Sequence, residues 1–231
     1  MNIEKEMILE SDNTLILSDW HIPFENTKLV KKAYQHITSN DVKHIIIPGD
    51  FMDCINFSTF KDEQPADTWD EEIEYVAKHL NKLESLIGLE NVYFLRGNHE
   101  DRWIRAMFGR GKLKHLFNMT GVVAPNVSNF DWMTLHSPSG KWRICHPKNY
   151  SVIEGSVPKR LATKFRCNIA SAHGHHCMQT RDVSRHYHAI ELGGLFDQGK
   201  LNYLNRNTTT HPGTVNGFLH LLGDSVDLVV G

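Results

Sequence analysis

The sequence predicts an α/β fold, and three observations predict it. Short apolar runs in the first half are too brief for helices and stop at turn residues. Amphipathic stretches at helical spacing separate them. Beyond Thr120 the apolar residues fall mostly into strand-length runs. A chain of 231 residues suffices for one large domain. Neither an internal repeat nor a low-complexity linker divides it, so residues 1–231 are read as a single domain.

The elements follow in order. Leu15-Ile16-Leu17 reads as a buried strand ending at Ser18-Asp19. Residues 27–37 place Leu29, Val30, Ala33, Tyr34 and Ile37 on one helical face. His44-Ile45-Ile46-Ile47 is a second strand, stopped by Pro48-Gly49. Residues 68–87 read as a long helix, opened by a Thr68/Glu71 capping box and closed by Gly88. Residues 91–95 form a third strand, ending at Arg96-Gly97, and residues 103–117 a helix broken at 109–111. Residues 121–139, rich in Asn, Ser and Pro, read as irregular or short-stranded. Strand-like runs follow at 141–145, 169–172, 187–192, 217–222 and 225–230, with a helix at 158–165.

Composition excludes several classes. With 40% hydrophobic and 23% charged residues, wholesale disorder is ruled out. A formal net charge of −2 does not advertise a general electrostatic grip on nucleic acid. No apolar run is long enough to span a bilayer, and the first ten residues lack the form of a secretory leader. The four cysteines show no CxxC spacing, which fits reduced thiols and a cytoplasmic location. The unusual number is 15 histidines, since imidazole is the commonest metal ligand and a common general acid.

Each buried strand of the first half ends in residues able to hold a metal. These are Asp19-Trp20-His21, then Gly49-Asp50 with Asp53, then Gly97-Asn98-His99. In α/β sheets the carboxyl ends of the strands gather at one edge, where ligands bind. In extended backbone Asp19 and His21 share a face, and so do His173 and His175. His146 follows a strand of the second half. Mixed carboxylate, amide and imidazole donors suit Zn, Fe or Mn better than Ca.

Asp-x-His, Gly-Asp-x-x-Asp, Gly-Asn-His-Glu, a lone His after a strand and a late His-x-His occur here in that order. The ordered set resembles the calcineurin-like metallophosphoesterases over roughly three-quarters of the chain. The resemblance implies a four-layered α/β/β/α sandwich with the metal site at the strand C-terminal edge. It implies that Asp19, His21 and His175 hold one ion, that Asn98, His146 and His173 hold a second, and that Asp50 bridges them. A hydroxide shared by the ions would attack phosphorus, with His99 as general acid and Asp53 orienting it. Arg96 and Asn98 are the expected substrate contacts, Arg96 by its place in Leu-Arg-Gly-Asn-His-Glu. Two departures stand out. Pro147 follows His146 where the family often has Gly, and Ala172 precedes the late pair. His173/His175 is the favoured register, with His175 and Cys177 as the alternative pair and His176 a close neighbour.

Other residues receive structural readings. Arg102 and Arg105 are expected to pair with Glu100 or Asp101. His186, His188 and histidines without partner patterns, His211 among them, are read as ordinary surface or hydrogen-bonded side chains. Residues 53–67 and 121–139 are the loops expected to shape specificity. The expected function is two-metal hydrolysis of a small phosphomonoester, nucleotide or phosphodiester. The cofactor would be two divalent ions, manganese first, with Fe, Zn, Ni or Mg as alternatives. The competing readings are a nuclease or phosphodiesterase acting on nucleic acid, and a metal-bound protein-interaction module without turnover. No membrane partner is expected.

Overall fold

The Asn26 side chain accepts the Leu29 N–H and so opens helix α1 (Thr27–Ser39), whose Leu29, Val30, Ala33 and Ile37 are buried. Thr68 and Glu71 form the expected capping box at the start of α2 (Trp69–Ile87), and Gly88 caps its end. The computed structural model describes residues 6–59, 68–201 and 213–231. Residues 60–67, in the first expected specificity loop, and His211 therefore lie outside the described residues.

The strands are β1 (Ile8–Glu10), β2 (Asn13–Ile16), β3 (His44–Pro48), β4 (Val92–Leu95), β5 (Asn126–Val127), β6 (Trp132–Ser137), β7 (Gly140–Cys145), β8 (Asn168–Ser171), β9 (Met178–Arg181), β10 (His188–Glu191), β11 (Gly217–Leu222) and β12 (Ser225–Val230). Three further helices are α3 (Glu100–Ala106), α4 (Leu113–Asn118) and α5 (Ser156–Phe165). One six-stranded sheet has the order β12-β11-β2-β3-β4-β5, and the other β1-β6-β7-β8-β10-β9. β2, β3, β4 and β5 pair in parallel, as do β7 with β8 and β8 with β10.

Alternation along the strands divides the core into layers. Leu15, Ile45, Ile47, Val92 and Phe94 join the buried residues of α1, α2, α3 and α4. Ile16, Ile46 and Leu95 face the other way, packing with Met133, Leu135, Trp142, Ile144, Ala170 and Ile190 between the sheets. Ile169 and Ala189 turn to the outer side of the second sheet, against Ala162 of α5. The architecture is thus helix, sheet, sheet, helix.

Three differences from expectation have local causes. Residues 121–139 contain a regular six-residue strand, β6, paired antiparallel to β7. β1 and β9 lie at the two edges of their sheet and are at most half buried, so they lack the unbroken buried run that marks the equally short β2 and β8. α3 begins at Glu100, directly after the Gly97-Asn98-His99 turn, with a separate α4 beyond the break.

Candidate metal centre

The ends of β2, β3, β4, β7 and β8 deliver the candidate residues to one place, but not in extended geometry. Asp19, His21, Asp50, His173 and His175 all have positive φ, between 48° and 76°. Side chains two apart therefore converge through left-handed turns, and the extended-face argument for Asp19/His21 and His173/His175 is corrected. Non-glycine residues held there are strained, and such strain clusters at functional sites. Glu100 holds two of the turns together. Its buried carboxylate accepts the N–H groups of Gly97 (2.9 Å), Asp50 (3.0 Å) and Met52 (3.0 Å). Gly97 is needed for this approach, because a Cβ there would overlap Asp50 Oδ1.

Three groups of donors result. One donor atom each from Asp19, His21 and His175 lie within 4.8 Å of one another, and so do donors from Asp50, His146 and His173, and donors from His21, Asp53 and His99, the expected proton donor with its partner. Asp50 Oδ2 lies between the first two clusters, 3.9 Å from His21 Nε2 and 3.4 Å from His146 Nε2. Asp50 Oδ1 accepts the His99 N–H at 2.9 Å. Asp19 accepts the His173 N–H and stands 3.1 Å from His175 Nε2.

The donor set fits divalent cations. His21 Nδ1 bonds Asp53 Oδ2 at 3.0 Å, while its buried Nε2 has no hydrogen-bond partner among the described residues. His146 Nδ1–H donates to Pro48 O at 2.9 Å, so in the neutral ring Nε2 carries the lone pair. Nε2 lies 2.8 Å from Asn98 Oδ1; against burial, Asp50 and Asp19 raise the His146 pKa, so a proton bridges the two atoms where a cation would otherwise be shared. Imidazoles fixed through the far nitrogen by a carboxylate or carbonyl are the usual support of a metal site.

Electrostatics point the same way. Burial opposes ionisation of Asp19, but His175, His146 and His21 hold its carboxyl far below the ordinary range. Asp50 is likewise lowered against burial, by His146, His99 and His21. Burial, reinforced by His146, lowers His173 to about 4, so its ring is neutral at pH 7. Burial and the Asp50 charge push Glu100 up to about 7.

The structure also sorts the neighbours. His176 turns away from both clusters, its Nδ1 3.2 Å from Glu191 Oε2. Burial raises the Cys177 thiol to about 11, and among the described residues neither it nor His176 joins a cluster. His99 Nδ1 reaches Asp53 O at 2.9 Å and Asp53 Oδ2 at 3.2 Å. Arg96, Asn98, Asp101, Asp131, His146 and Lys148 line one cleft, with Arg96 Nε 3.3 Å from Asp101 Oδ1.

Arg102 departs from its expected pairing. It is buried and turns inward, its Nη1 3.3 Å from Asp53 Oδ1 and its Nη2 3.4 Å from His99 Nε2. Arg105 keeps to Asp101, donating to its backbone carbonyl at 3.2 Å. Glu100, Arg102 and Glu191 are parts of the site's support that sequence reasoning passed over. For Glu100 the signal was available in its place directly after Asn98-His99. For Glu191, contacting His176 and Gly155 N–H from β10, no local signal exists.

A two-sheet sandwich whose strand ends gather two His/Asp clusters around one carboxylate defines a metal-binding class of α/β protein. The chain belongs to the calcineurin-like phosphoesterase family, whose model matches residues 13–206. Among solved structures, vacuolar protein sorting 29 from Cryptosporidium parvum is similar, with TM-score 0.50 at 12% identity over 95% of this chain and 96% of that one. Yfce, a phosphoesterase from E. coli, has TM-score 0.48 at 11% identity over 94% and 98%. A protein serine/threonine phosphatase from Saccharomyces cerevisiae has TM-score 0.44 at 12% identity over 98% and 82%. At such identities the first likeness is one of fold. No curated protein matches the chain. Among the described residues no helix is long and apolar enough to cross a membrane.

Proposed function

We propose that the chain, acting as one domain over residues 1–231, hydrolyses phosphate esters with two divalent metal ions. The observation that carries the reading is Asp50 Oδ2, set between His21 Nε2 and His146 Nε2 and so able to serve both clusters. Asp19, His21 and His175 would hold one ion, and Asn98, His146 and His173 the other, with Asp50 shared. When bound, such a pair supplies positive charge to the phosphate oxygens and makes an attacking water more acidic.

The protein's own residues do the rest. His99 Nδ1–H is engaged by Asp53, and Nε2, which stands beside the Arg102 guanidinium, would protonate the leaving oxygen. Asn98 and Arg96 face the cleft where a phosphate would enter. Manganese is the first expectation for the metals, with Fe, Zn, Ni or Mg also compatible with mixed imidazole and oxygen donors. A small phosphomonoester or nucleotide is the favoured substrate, a phosphodiester the next. The four cysteines are buried and unpaired, which supports a cytoplasmic assignment.

The test is turnover of p-nitrophenyl phosphate beside its bis-ester, with Mn²⁺, Zn²⁺, Mg²⁺ or Fe²⁺ added to metal-stripped protein. Monoester turnover supports the phosphatase reading. Diester turnover moves the assignment to a phosphodiesterase or nuclease. Turnover of neither overturns hydrolysis and leaves a metal-bound interaction module.

A further inference from the structure

Resting on the phosphoester-hydrolysis reading, we propose that Arg102 is a positioning residue for the His99–Asp53 pair. Its guanidinium sets the rotation of the Asp53 carboxylate and holds the edge of the His99 ring.

The division of the Asp53 oxygens carries this. Oδ2 faces two imidazoles, His21 Nδ1 at 3.0 Å and His99 Nδ1 at 3.2 Å. Oδ1 faces Arg102 Nη1 at 3.3 Å. A carboxylate free to turn could give one oxygen to each imidazole. The cation on Oδ1 keeps the other oxygen common to both. One guanidinium nitrogen binds the carboxylate while the other lies 3.4 Å from His99 Nε2, to which it can donate once that nitrogen has given up its proton, so one planar group holds the carboxylate before the transfer and meets the imidazole after it. An ammonium is a point charge and cannot span the two in a fixed plane.

Burial argues that the arrangement is built. Among the described residues Arg102 is the only buried Arg or Lys, and Asp53, Glu72 and Glu100 are buried with it. A buried guanidinium carries a large desolvation cost unless its donors are engaged. A helix-surface pairing with Asp101 would have needed no burial.

In the reaction the P–O bond to the leaving alcohol breaks as the water oxygen bonds to phosphorus, and the leaving oxygen takes its proton from His99. Good leaving groups need that proton little; poor ones need it. Arg102 should therefore matter in proportion to the need for His99.

The experiment compares wild type, Arg102→Lys, His99→Ala and the double variant, loaded with Mn²⁺. Each is assayed on p-nitrophenyl phosphate and on phenyl phosphate. Arg102→Lys is expected to lower phenyl phosphate turnover by about 10–10²-fold, the range for groups that support a site residue. The loss on p-nitrophenyl phosphate should be several-fold smaller, and KM should stay near wild type. In the His99→Ala background the same substitution should cost less than about twofold, as coupling through one residue requires. A partly unfolded variant lowers both substrates alike, so the ratio between them reads orientation rather than active fraction. Equal losses on the two substrates, an undiminished loss beside His99→Ala, or no loss at all would overturn the role. A wild type that turns over neither of these monoesters nor the bis-ester overturns the phosphoesterase reading and this role with it; one that turns over the bis-ester alone has the same four proteins compared on bis-p-nitrophenyl phosphate and diphenyl phosphate, with the same outcomes.

Discussion

Asp50 faces three imidazoles with one carboxylate oxygen, those of His146, His21 and His99, and accepts a backbone N–H on the other. Asp50→Asn keeps that shape and removes the charge. Turnover should fall by about 10²–10³-fold or more, the cost of deleting one electrostatic element of a preorganised site, while the thermal midpoint is retained. His99→Ala should lower turnover by about 10²–10⁴-fold, with metal content measured on the same sample unchanged. Glu72 has the opposite character. It accepts the Cys54 N–H at 2.7 Å, its second oxygen is without a partner, and burial pushes it up to about 8. A carboxyl raised in the folded state binds more protons than in the unfolded chain, so its contribution is present at low pH and lost as pH rises from about 4.5 to about 8. Glu72→Gln removes this dependence. Its melting temperature relative to wild type should increase between pH 5 and pH 9, and a difference that does not vary with pH would refute the sign.

At the scale of elements, capping and periodicity explain what could be read in advance. Thr68/Glu71 and Gly88 bound α2 because those side chains satisfy helix-end groups locally. Thr68→Ala should cost about 1 kcal/mol, seen as a drop of roughly 2–4 °C in melting temperature. The parallel strands were legible because two-sided burial leaves unbroken apolar runs, as in His44–Pro48. The ligand types at their ends were legible because they come as ordered short blocks. Edge strands β1 and β9 were not, because an edge position leaves them without the continuous buried run of the equally short β2 and β8. The left-handed turns at Asp19, His21, His173 and His175 were hidden for another reason. Nothing in an Asp or His announces positive φ, which here is enforced by contacts between distant loops. The inward turn of Arg102 is of the same kind, since its partner Asp53 lies 49 residues away.

For the whole molecule, two sheets packed face to face bring five strand ends to one edge, and this places residues from Asp19 to His175 around two clusters. The high histidine count is thereby divided between proposed ligands, a proposed proton donor and ordinary side chains such as His36 and His220, which bond each other at 3.0 Å. Membership of the calcineurin-like phosphoesterase family accounts for the fold and the ordered blocks. Whether the centre turns over phosphate esters is the central claim, and Asp50 tests it most directly. Metal-stripped wild type and Asp50→Asn should be titrated with Mn²⁺, and bound metal and p-nitrophenyl phosphate turnover followed together. The account predicts that wild-type activity appears as the protein approaches two ions per chain, and that Asp50→Asn loses turnover by at least about 10²-fold. Equal turnover by the two proteins, or wild-type turnover indifferent to metal, would contradict it.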